Sequence, residues 1–516
     1  MPGHLDLGPT RRPDLPNVLL ITVDHWTADL LRVAGHPAIK TPTLDRLARD
    51  GIRFTQFYSS CPVCIPARRS LMTGTTPRMH GDRVYLDRLP MPDLPTLAEC
   101  FSQAGYQTWA AGKLHVYPQR NRIGFDDVVL LEEGRYQFGV VDDYQIWLGE
   151  QGLVGREFDH GLSNNSYETR PWHLPEEAHG TVWTTNQMIR LIQRLDPTRP
   201  ALLYLSYAYP HPPLVPLASY LDLYRDVEIP EPVWGDWSRD AAAAARDGAA
   251  PAADTALQLL GRAAAGYSDD DIRQARRAFY AQCTLIDHQL RRVIGSLREH
   301  GWLDNTIIAF TADHGDMLFD HGMVAKRSFY QNAAHIPLIL SGPMLARLAP
   351  GIGETSDRLG CLEDLMPTLL DLCELPIPDS VEGISLFSAE PRALVYGEIS
   401  DDLCATRMVT DGRHKLIYYP CGNRLQLFDV VADPRDERDL FAAATAGAAA
   451  GDMALGSVLR RLTQELMDAL YGDDRDWIRG GELVGFQAPV ALPADRNYGL
   501  SGQRGGHWPP PPPQNG

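Results

Sequence analysis

Four stretches of the chain are mainly apolar runs that each end in charged or imidazole side chains. The run NVLLITVDH at 17–25 is rich in β-branched residues, and runs of the same shape cover 107–115, 201–213 and 306–316. Such runs are typical of parallel strands that are buried on both faces. Because open α/β sheets bind ligands at the carboxyl ends of parallel strands, we expect the four polar ends to converge on one pocket.

Helical periodicity appears between these runs. The segment 41–51 has Leu44 and Leu47 on one side, which predicts a short amphipathic helix stopped by Gly51. The segment 269–301 has apolar residues at three- and four-residue steps, which predicts a long core-packing helix. These residues are Ile272, Ala275, Phe279, Cys283, Ile286, Leu290, Val293 and Leu297. Strands that alternate with helices predict an α/β fold.

The pattern changes near residue 391 to short strands separated by turns, followed by one amphipathic helix. We therefore predict an α/β catalytic domain at 1–390 and a small α+β subdomain with an antiparallel sheet at 391–480. An alanine-rich surface insertion is expected near 235–267. The extension and proline-rich tail at 481–516 is expected to be disordered or to form an oligomerisation arm.

Composition and net charge limit the classes of partner that the protein is expected to bind. A 516-residue chain that is 44% hydrophobic can bury a large core, and its net charge of −18 argues against nucleic acid or an anionic membrane as a partner. The N-terminal sequence lacks the apolar run of a signal peptide, which predicts a cytoplasmic protein. Eight cysteines in a chain of this length do not form a disulfide framework, so most are expected to be reduced and several buried.

Cys61 and Cys64 form a C-x-x-C pair that has more than one chemical interpretation. A structural zinc site needs four ligands, and no other two cysteines are closely spaced. A redox dithiol needs the pair at the start of a helix after a strand, which the surrounding sequence FTQFYSSCPVC allows. The other interpretation is a small, buried Cys61 beside a separate, reactive Cys64.

The stretch CIPARRSLMTG, which starts at Cys64, resembles the signature of the type I sulfatases, Cys-x-Pro-x-Arg followed by a short helix that ends in Thr-Gly. In that family the cysteine is oxidised to formylglycine, whose hydrated aldehyde is the nucleophile. The resemblance implies that a formylglycine-generating enzyme reads Cys64, Pro66 and Arg68 during maturation.

Further motifs extend the resemblance from residue 17 to about residue 470. NVLLITVDH and DHGD are similar to the metal-binding strands, GKLH to the Gly-Lys-x-His motif, PHPP to the substrate-side histidine, and AKRSFYQNAAHIPLIL to the segment with the following lysine. Details are closest to the choline-sulfatase and phosphonate-monoester-hydrolase branches. The resemblance implies an alkaline-phosphatase-like sandwich: a large central mixed, mostly parallel sheet flanked by helices, with the small C-terminal subdomain.

The resemblance also implies one divalent metal ion. Asp24 and Asp313 are hard oxygen ligands, and the converted Cys64 would complete the shell. His314 would be a ligand where many sulfatases have Asn. His25 stands where many have a second Asp, and it is either a ligand or an imidazole behind the ligands. Ca2+ is the expected ion, and nitrogen ligands shift the preference towards Mn2+ or Zn2+.

On the substrate side, the resemblance assigns a role to each of five residues. Arg68 would hold the formylglycine hydrate, and Lys113 and Lys326 would bind the sulfate oxygens. His211 would lie near the leaving-group oxygen as hydrogen-bond donor or acid, and His115 would remove the proton whose loss expels sulfate. We expect the neighbouring Arg69 instead to face solvent or a structural carboxylate.

The expected function is hydrolysis of small anionic sulfate monoesters by S–O cleavage. One alternative is a phosphonate monoester or phosphodiester hydrolase with the same nucleophile, although the intact GKLH motif favours a sulfatase. A catalytically inactive binder of sulfated ligands and a dithiol oxidoreductase are alternatives of other classes. By analogy with the choline-sulfatase branch, we expect a homo-oligomer.

Overall fold

The computed structural model describes residues 15–133, 141–162, 164–239, 262–263, 267–345, 354–401, 403–450 and 453–487. Most of the predicted alanine-rich insertion at 235–267 and of the predicted tail at 481–516 lies outside the described residues. The boundary near residue 390 stays a prediction.

The strands fall into a large sheet, a smaller second sheet and two short two-stranded pairs. In chain order they are β1 (Asn17–Val23), β2 (Ile52–Tyr58), β3 (Gln107–Gly112), β4 (Asp127–Leu130), β5 (Ala201–Tyr207), β6 (Arg262–Ala263), β7 (Thr306–Ala312), β8 (Met323–Val324), β9 (Leu338–Ser341), β10 (Glu354–Cys361), β11 (Val395–Ile399), β12 (Thr406–Thr410), β13 (His414–Tyr419), β14 (Arg424–Asp429), β15 (Ile478–Arg479) and β16 (Glu482–Leu483).

The α-helices lie mostly between the strands of the large sheet. In chain order they are α1 (Pro42–Arg49), α2 (Cys64–Thr73), α3 (Pro77–His80), α4 (Leu97–Gln103), α5 (Asp143–Glu150), α6 (Gly180–Ile192), α7 (Ala218–Asp222), α8 (Asp269–Glu299), α9 (Gln331–Ala334), α10 (Leu365–Leu372), α11 (Phe441–Ala450) and α12 (Met453–Ala469).

The large sheet has eight strands in the order β10-β2-β9-β7-β1-β5-β3-β4. The four runs predicted from the sequence are the adjacent strands β7, β1, β5 and β3, and they pair in parallel. Only β9 pairs antiparallel with its neighbours in this sheet. The predicted α/β class with a mixed, mostly parallel sheet is confirmed. Parallel pairing brings the carboxyl ends of four strands to one edge, which is where the site lies.

The two predicted helices are present with small differences at their ends. Helix α8 covers most of 269–301 and begins with a capping box between Ser268 and Asp271. Helix α1 ends at Arg49, with Asp50 as its cap, and Gly51 follows the cap without the left-handed backbone that is common at this position. Gly51 is needed for another reason: a Cβ there would lie 2.1 Å from the carbonyl oxygen of Leu340 on β9.

The second sheet, β11-β12-β13-β14, is antiparallel, as predicted. One face packs on the large-sheet part of the chain through residues such as Met408 and Ile417, beside Phe329 and Tyr330. The other face packs on α12 through residues such as Leu416. Successive side chains of a strand point to opposite faces of its sheet, so neighbouring residues such as Leu416 and Ile417 pack on different partners. In the part of the chain that the structure describes, no helix is both long and apolar enough to cross a membrane.

Candidate active site

The polar ends of the four parallel strands meet in one buried cluster. Asp24 and His25 follow β1, Lys113 and His115 follow β3, His211 follows β5, and Asp313 and His314 follow β7. All seven side chains are buried. Two further elements enter the cluster, the N-terminus of α2 with Cys64 and Arg68, and the segment after β8 with Lys326.

Cys64 is the first residue of α2, and its thiol faces the ends of β1 and β7. Its Sγ lies 3.2 Å from Nε2 of His314 and 3.7 Å from Oδ1 of Asp24. Burial and the Asp24 carboxylate raise the pKa of the thiol, but Lys326, His314 and Lys113 outweigh them, so the net shift is downward. Position 64 therefore lies where positive charge favours an anionic oxygen or sulfur.

Carboxylates, imidazoles and the thiol form a set of atoms that fits a divalent cation. One atom each from Asp24, Cys64, Asp313 and His314 lies within 4.8 Å of the others. Nδ1 of His314 lies 2.9 Å from the carbonyl oxygen of Gly315. A carbonyl can only accept, so Nδ1 carries a proton and Nε2 is the ring atom that faces the cluster. Burial lowers the pKa of His314, but Asp313 and Cys64 outweigh it and raise this pKa above its usual value, so a cation at Nε2 would displace a proton. Two carboxylates with an imidazole lone pair are a suitable donor set for Ca2+ or Mn2+.

His25 belongs to a second overlapping set, with Asp24, Cys64 and His211. Its Nδ1 lies 2.5 Å from Oδ2 of Asp316, and its Nε2 lies 2.5 Å from Nζ of Lys326. Burial and Lys326 lower the pKa of His25 well below its usual value, so the ring is neutral. A neutral ring that donates from Nδ1 to Asp316 has its one lone pair on Nε2, which accepts from the Lys326 ammonium here and would be the ligand atom for a cation.

Arg68 lies beneath Cys64 and is fixed from several sides. Its Nε donates to Oδ2 of Asp313 at 2.9 Å, and its Nη1 donates to the Lys113 carbonyl at 2.9 Å and to Oγ of Ser206 at 2.8 Å. Among the described residues, Nη2 is buried with no hydrogen-bond partner. A buried guanidinium N–H beside Cys64 is suited to an anionic oxygen.

Lys113 is fully buried and pairs with two carboxylates. Its ammonium contacts Asp24 and lies 2.9 Å from Oε2 of Glu133. Burial raises the pKa of Asp24, but nearby positive charge, chiefly the Lys113 ammonium, outweighs it and holds this pKa well below its usual value. Asp24 is therefore ionised, as a metal ligand must be.

Lys326 lies between His25 and His211 at the edge of the cluster. Its Nζ lies 3.1 Å from Nε2 of His211, whose Nδ1 lies 2.6 Å from the carbonyl oxygen of Pro212. Burial and Lys326 lower the pKa of His211 to about 3, so this ring is neutral. Because Nδ1 donates to a carbonyl, Nε2 accepts from Lys326, and the third ammonium proton of Lys326 is left for a substrate oxygen.

His115 lies at the same strand end as Lys113, with an unusual backbone conformation (φ 60°). Its backbone N–H donates to Oε1 of Glu132 at 2.9 Å, and its Nε2 lies 3.4 Å from the hydroxyl of Tyr85. A backbone held in such a strained conformation is a feature of functional sites.

The prediction for Arg69 was wrong. Its guanidinium is buried rather than in solvent and donates to the carbonyl oxygens of Leu89, Pro90 and His80. Within the described ranges it forms no ion pair with a carboxylate. The reason is that α2 is buried on every side, so the arginine next to Arg68 supports the loop that follows α3.

Sequence reasoning missed four residues of the site: Glu133, Asp316, Ser206 and Tyr85. Asp316 is the last residue of the DHGD motif, two positions after His314, and that spacing was the one available signal. Glu133 follows β4, which the sequence analysis did not predict. The role of each depends on contacts with residues distant in the chain.

A recess adjoins the cluster, and we call it the side recess. It is lined by His211 and Glu133 on the cluster side, and its cavity volume is about 50 Å3. Aromatic rings and one buried carboxylate make up much of its wall: Tyr144, Phe158, Trp172, Tyr209 and Glu157. Most of this wall comes from the segment between β4 and α6, for which the sequence suggested no chemistry.

The fold and this site define a hydrolase of the alkaline phosphatase superfamily. The chain belongs to the sulfatase family: the family model described as Sulfatase matches residues 16–375. An arylsulfatase of Clostridium perfringens is 35% identical over 447 residues, covering 83% of this chain and 90% of the relative. The family identified from the sequence is confirmed, and with it the enzyme class, a sulfuric ester hydrolase.

Two further similarities agree with the predicted branches. A choline-sulfatase of Rhizobium meliloti is 28% identical over 449 residues, covering 82% of each chain. Among solved structures, the phosphonate monoester hydrolase of Agrobacterium radiobacter superposes with a TM-score of 0.70 at 25% identity, covering 86% of this chain and 95% of that chain.

Proposed function

We propose that the protein hydrolyses sulfate monoesters with a formylglycine made from Cys64. The observation that supports this most strongly is the position of Cys64, at a helix start, 3.2 Å from His314 and 3.7 Å from Asp24. A dithiol reaction fits less well, because burial raises the pKa of Cys61 well above its usual value, opposite to the shift of Cys64.

Asp24, Asp313, His314 and His25 would hold one divalent cation together with residue 64. The cation would polarise the sulfate oxygens, and the hydrated aldehyde of formylglycine would supply a nucleophile better than water. Calcium is the ion that the carboxylates favour, and manganese or zinc is the alternative that the imidazoles favour.

The other site residues would stabilise the negative charge of the substrate or transfer and orient protons. Arg68 and Lys113 neutralise negative charge next to residue 64, and their burial strengthens that effect. Lys326 donates towards the bridging ester oxygen, and His211 orients Lys326 by accepting one of its protons. His115 accepts the proton whose removal permits sulfate to leave. This local positive charge would attract an anionic substrate although the whole chain carries a net charge of −18.

The side recess is where the alcohol part of the ester would lie, since His211 forms part of both the recess and the cluster. Its aromatic walls fit an apolar or aromatic alcohol, and Glu157 would add affinity for a cationic one. Aryl sulfates and choline sulfate, the substrate types in the names of two relatives, are therefore the first substrates to compare.

Hydrolysis of phosphonate monoesters is a second candidate, and the structural similarity to a phosphonate monoester hydrolase favours it. The GKLH motif favours the sulfatase, because it supplies Lys113 and His115, which are both buried at the end of β3. A cytoplasmic location, homo-oligomerisation and maturation by a formylglycine-generating enzyme remain proposals from the sequence.

The decisive experiment is mass spectrometry of the peptide that contains Cys61 and Cys64, from protein co-expressed with a formylglycine-generating enzyme. We expect loss of sulfur and gain of oxygen at Cys64 alone, with turnover of an aryl sulfate that exceeds turnover of the matching aryl phosphonate. An unmodified Cys64 in protein that still hydrolyses sulfate esters would refute the proposed nucleophile. A strong phosphonate preference would support the second candidate.

A further inference from the structure

The turn at 82–86, here called the Asp82 turn, is a strained segment beside the cluster. The Asp82 carboxylate accepts three backbone N–H bonds, from Val84 at 2.9 Å, from Tyr85 at 2.9 Å and from Leu86 at 3.0 Å. Tyr85 has a φ of 84°, which an aromatic residue rarely adopts. Strain of this kind persists only where surrounding contacts maintain it, and it concentrates at functional sites.

The strained backbone directs the Tyr85 ring between two elements of the site. On one side, the hydroxyl lies 3.4 Å from Nε2 of His115, and the two rings meet edge to face with centroids 5.8 Å apart. On the other side, the guanidinium of Arg327, the residue after Lys326, lies 5.3 Å from the ring centroid. The Tyr85 ring therefore contacts the imidazole that we propose as the base and the segment that carries Lys326.

The same turn is fixed to the C-terminal sheet through Arg83. Its Nη1 lies 2.8 Å from Glu398 on β11 and 2.8 Å from Asp474, and its Nη2 lies 3.1 Å from Asp474. The Arg83 carbonyl accepts the N–H of Ser400 at 2.8 Å. The half-buried Arg83 thus joins the turn to two acidic residues that are themselves buried, which restricts movement of Tyr85.

We propose that Tyr85 is a positioning residue for His115 in the release of sulfate. When the Nε2–H of His115 donates to the Tyr85 hydroxyl, the lone pair that takes up the proton lies on Nδ1, and the hydroxyl holds Nε2 both before and after the imidazole is protonated. The proposal rests on the proposed role of His115. It assigns to the Asp82 turn the task of orienting that ring, and to the C-terminal sheet the task of fixing the turn.

The test compares Tyr85→Phe, which removes only the hydroxyl, with Tyr220→Phe. Tyr220 is a matched control because its hydroxyl lies 3.2 Å from Nδ1 of His288 in another edge-to-face pair away from the cluster. General-base catalysis contributes about 10²–10⁴-fold, so loss of one orienting contact is expected to slow sulfate release about tenfold. The readouts are a pre-steady-state burst of alcohol from an aryl sulfate, kcat and KM.

We expect Tyr85→Phe to show a burst with lowered kcat and no rise in KM, and Tyr220→Phe to behave like wild type. Asp82→Asn, which weakens the turn, should show the same burst. A Tyr85→Phe enzyme with wild-type kcat, or with a loss that affects ester cleavage and so gives no burst, would overturn the proposal. The His115→Ala variant separates the proposed role of His115 as the base from the proposed role of Tyr85 in orienting it. If His115→Ala shows a burst and Tyr85→Phe does not, only the role of Tyr85 is refuted. A His115→Ala enzyme without a burst removes the basis of both.

Discussion

Replacing Asp316 by asparagine tests whether His25 is a metal ligand. Asp316 is buried, and its Oδ2 lies 2.5 Å from Nδ1 of His25 and also accepts the hydroxyl of Tyr167. Asparagine keeps the shape and an acceptor oxygen for the backbone N–H of Leu318, which Oδ1 of Asp316 accepts at 2.8 Å. The substitution therefore removes the negative charge behind His25 with little change in packing.

The size of the effect follows from that contact. A hydrogen bond to a charged group contributes about 1.5–3 kcal/mol. Because about 1.4 kcal/mol corresponds to a factor of ten, loss of the hydrogen bond from His25 to Asp316 would lower the affinity of His25 for the cation roughly 10- to 100-fold. Carboxylates behind metal-bound histidines have effects of this size on metal affinity. We therefore expect Asp316→Asn to weaken binding of the divalent cation by about that factor.

The assay is calorimetric titration of metal-free protein with Ca2+ and with Mn2+. Asp45→Asn is the control, because the buried Asp45 also accepts a backbone N–H, from Val33 at 2.9 Å, but is not part of either group that could hold a metal. Circular dichroism verifies that both variants are folded. Metal affinity of Asp316→Asn equal to that of Asp45→Asn would refute the reasoning and make His25 a residue that only orients Lys326.

Two further predictions concern the thiols and the pH dependence of stability. Cys61→Ser should keep aryl sulfatase activity and Cys64→Ala should lose it; equal loss in both variants would favour dithiol chemistry. Burial raises the pKa of Asp287 to about 6 although its carboxylate accepts the backbone N–H groups of Thr43 and Leu44 at the start of α1. The unfolded pKa is about 3.9, so the stability from this group is complete below pH ~4 and is lost as pH rises through about 6. The free energy of unfolding by urea is measured for wild type and for Asp287→Asn, and the difference between the two should fall by up to about 3 kcal/mol between pH ~4 and ~7. A rise in that difference would contradict the raised pKa of Asp287.

The sequence by itself determined the strands and the chemistry at their ends. An apolar run that must be buried on both faces has few alternatives to a central parallel strand, and its polar end then has to lie at one edge of the sheet. For that reason Asp24, Lys113, His211 and Asp313 were identified before any contact was known. Cys64 was identified because a maturation signal is local in sequence.

Only the tertiary structure decided how these residues are held. Asp316 and Glu133 fix the positions of His25 and Lys113 through contacts across the sheet edge. Tyr85 reaches His115 only because a carboxylate three residues earlier fixes a left-handed backbone. Such contacts depend on close approach between distant segments, and hydrophobic periodicity carries no information about them. Arg69 shows the same limit, since a helix buried on all sides turns an expected surface charge into a donor to backbone carbonyls.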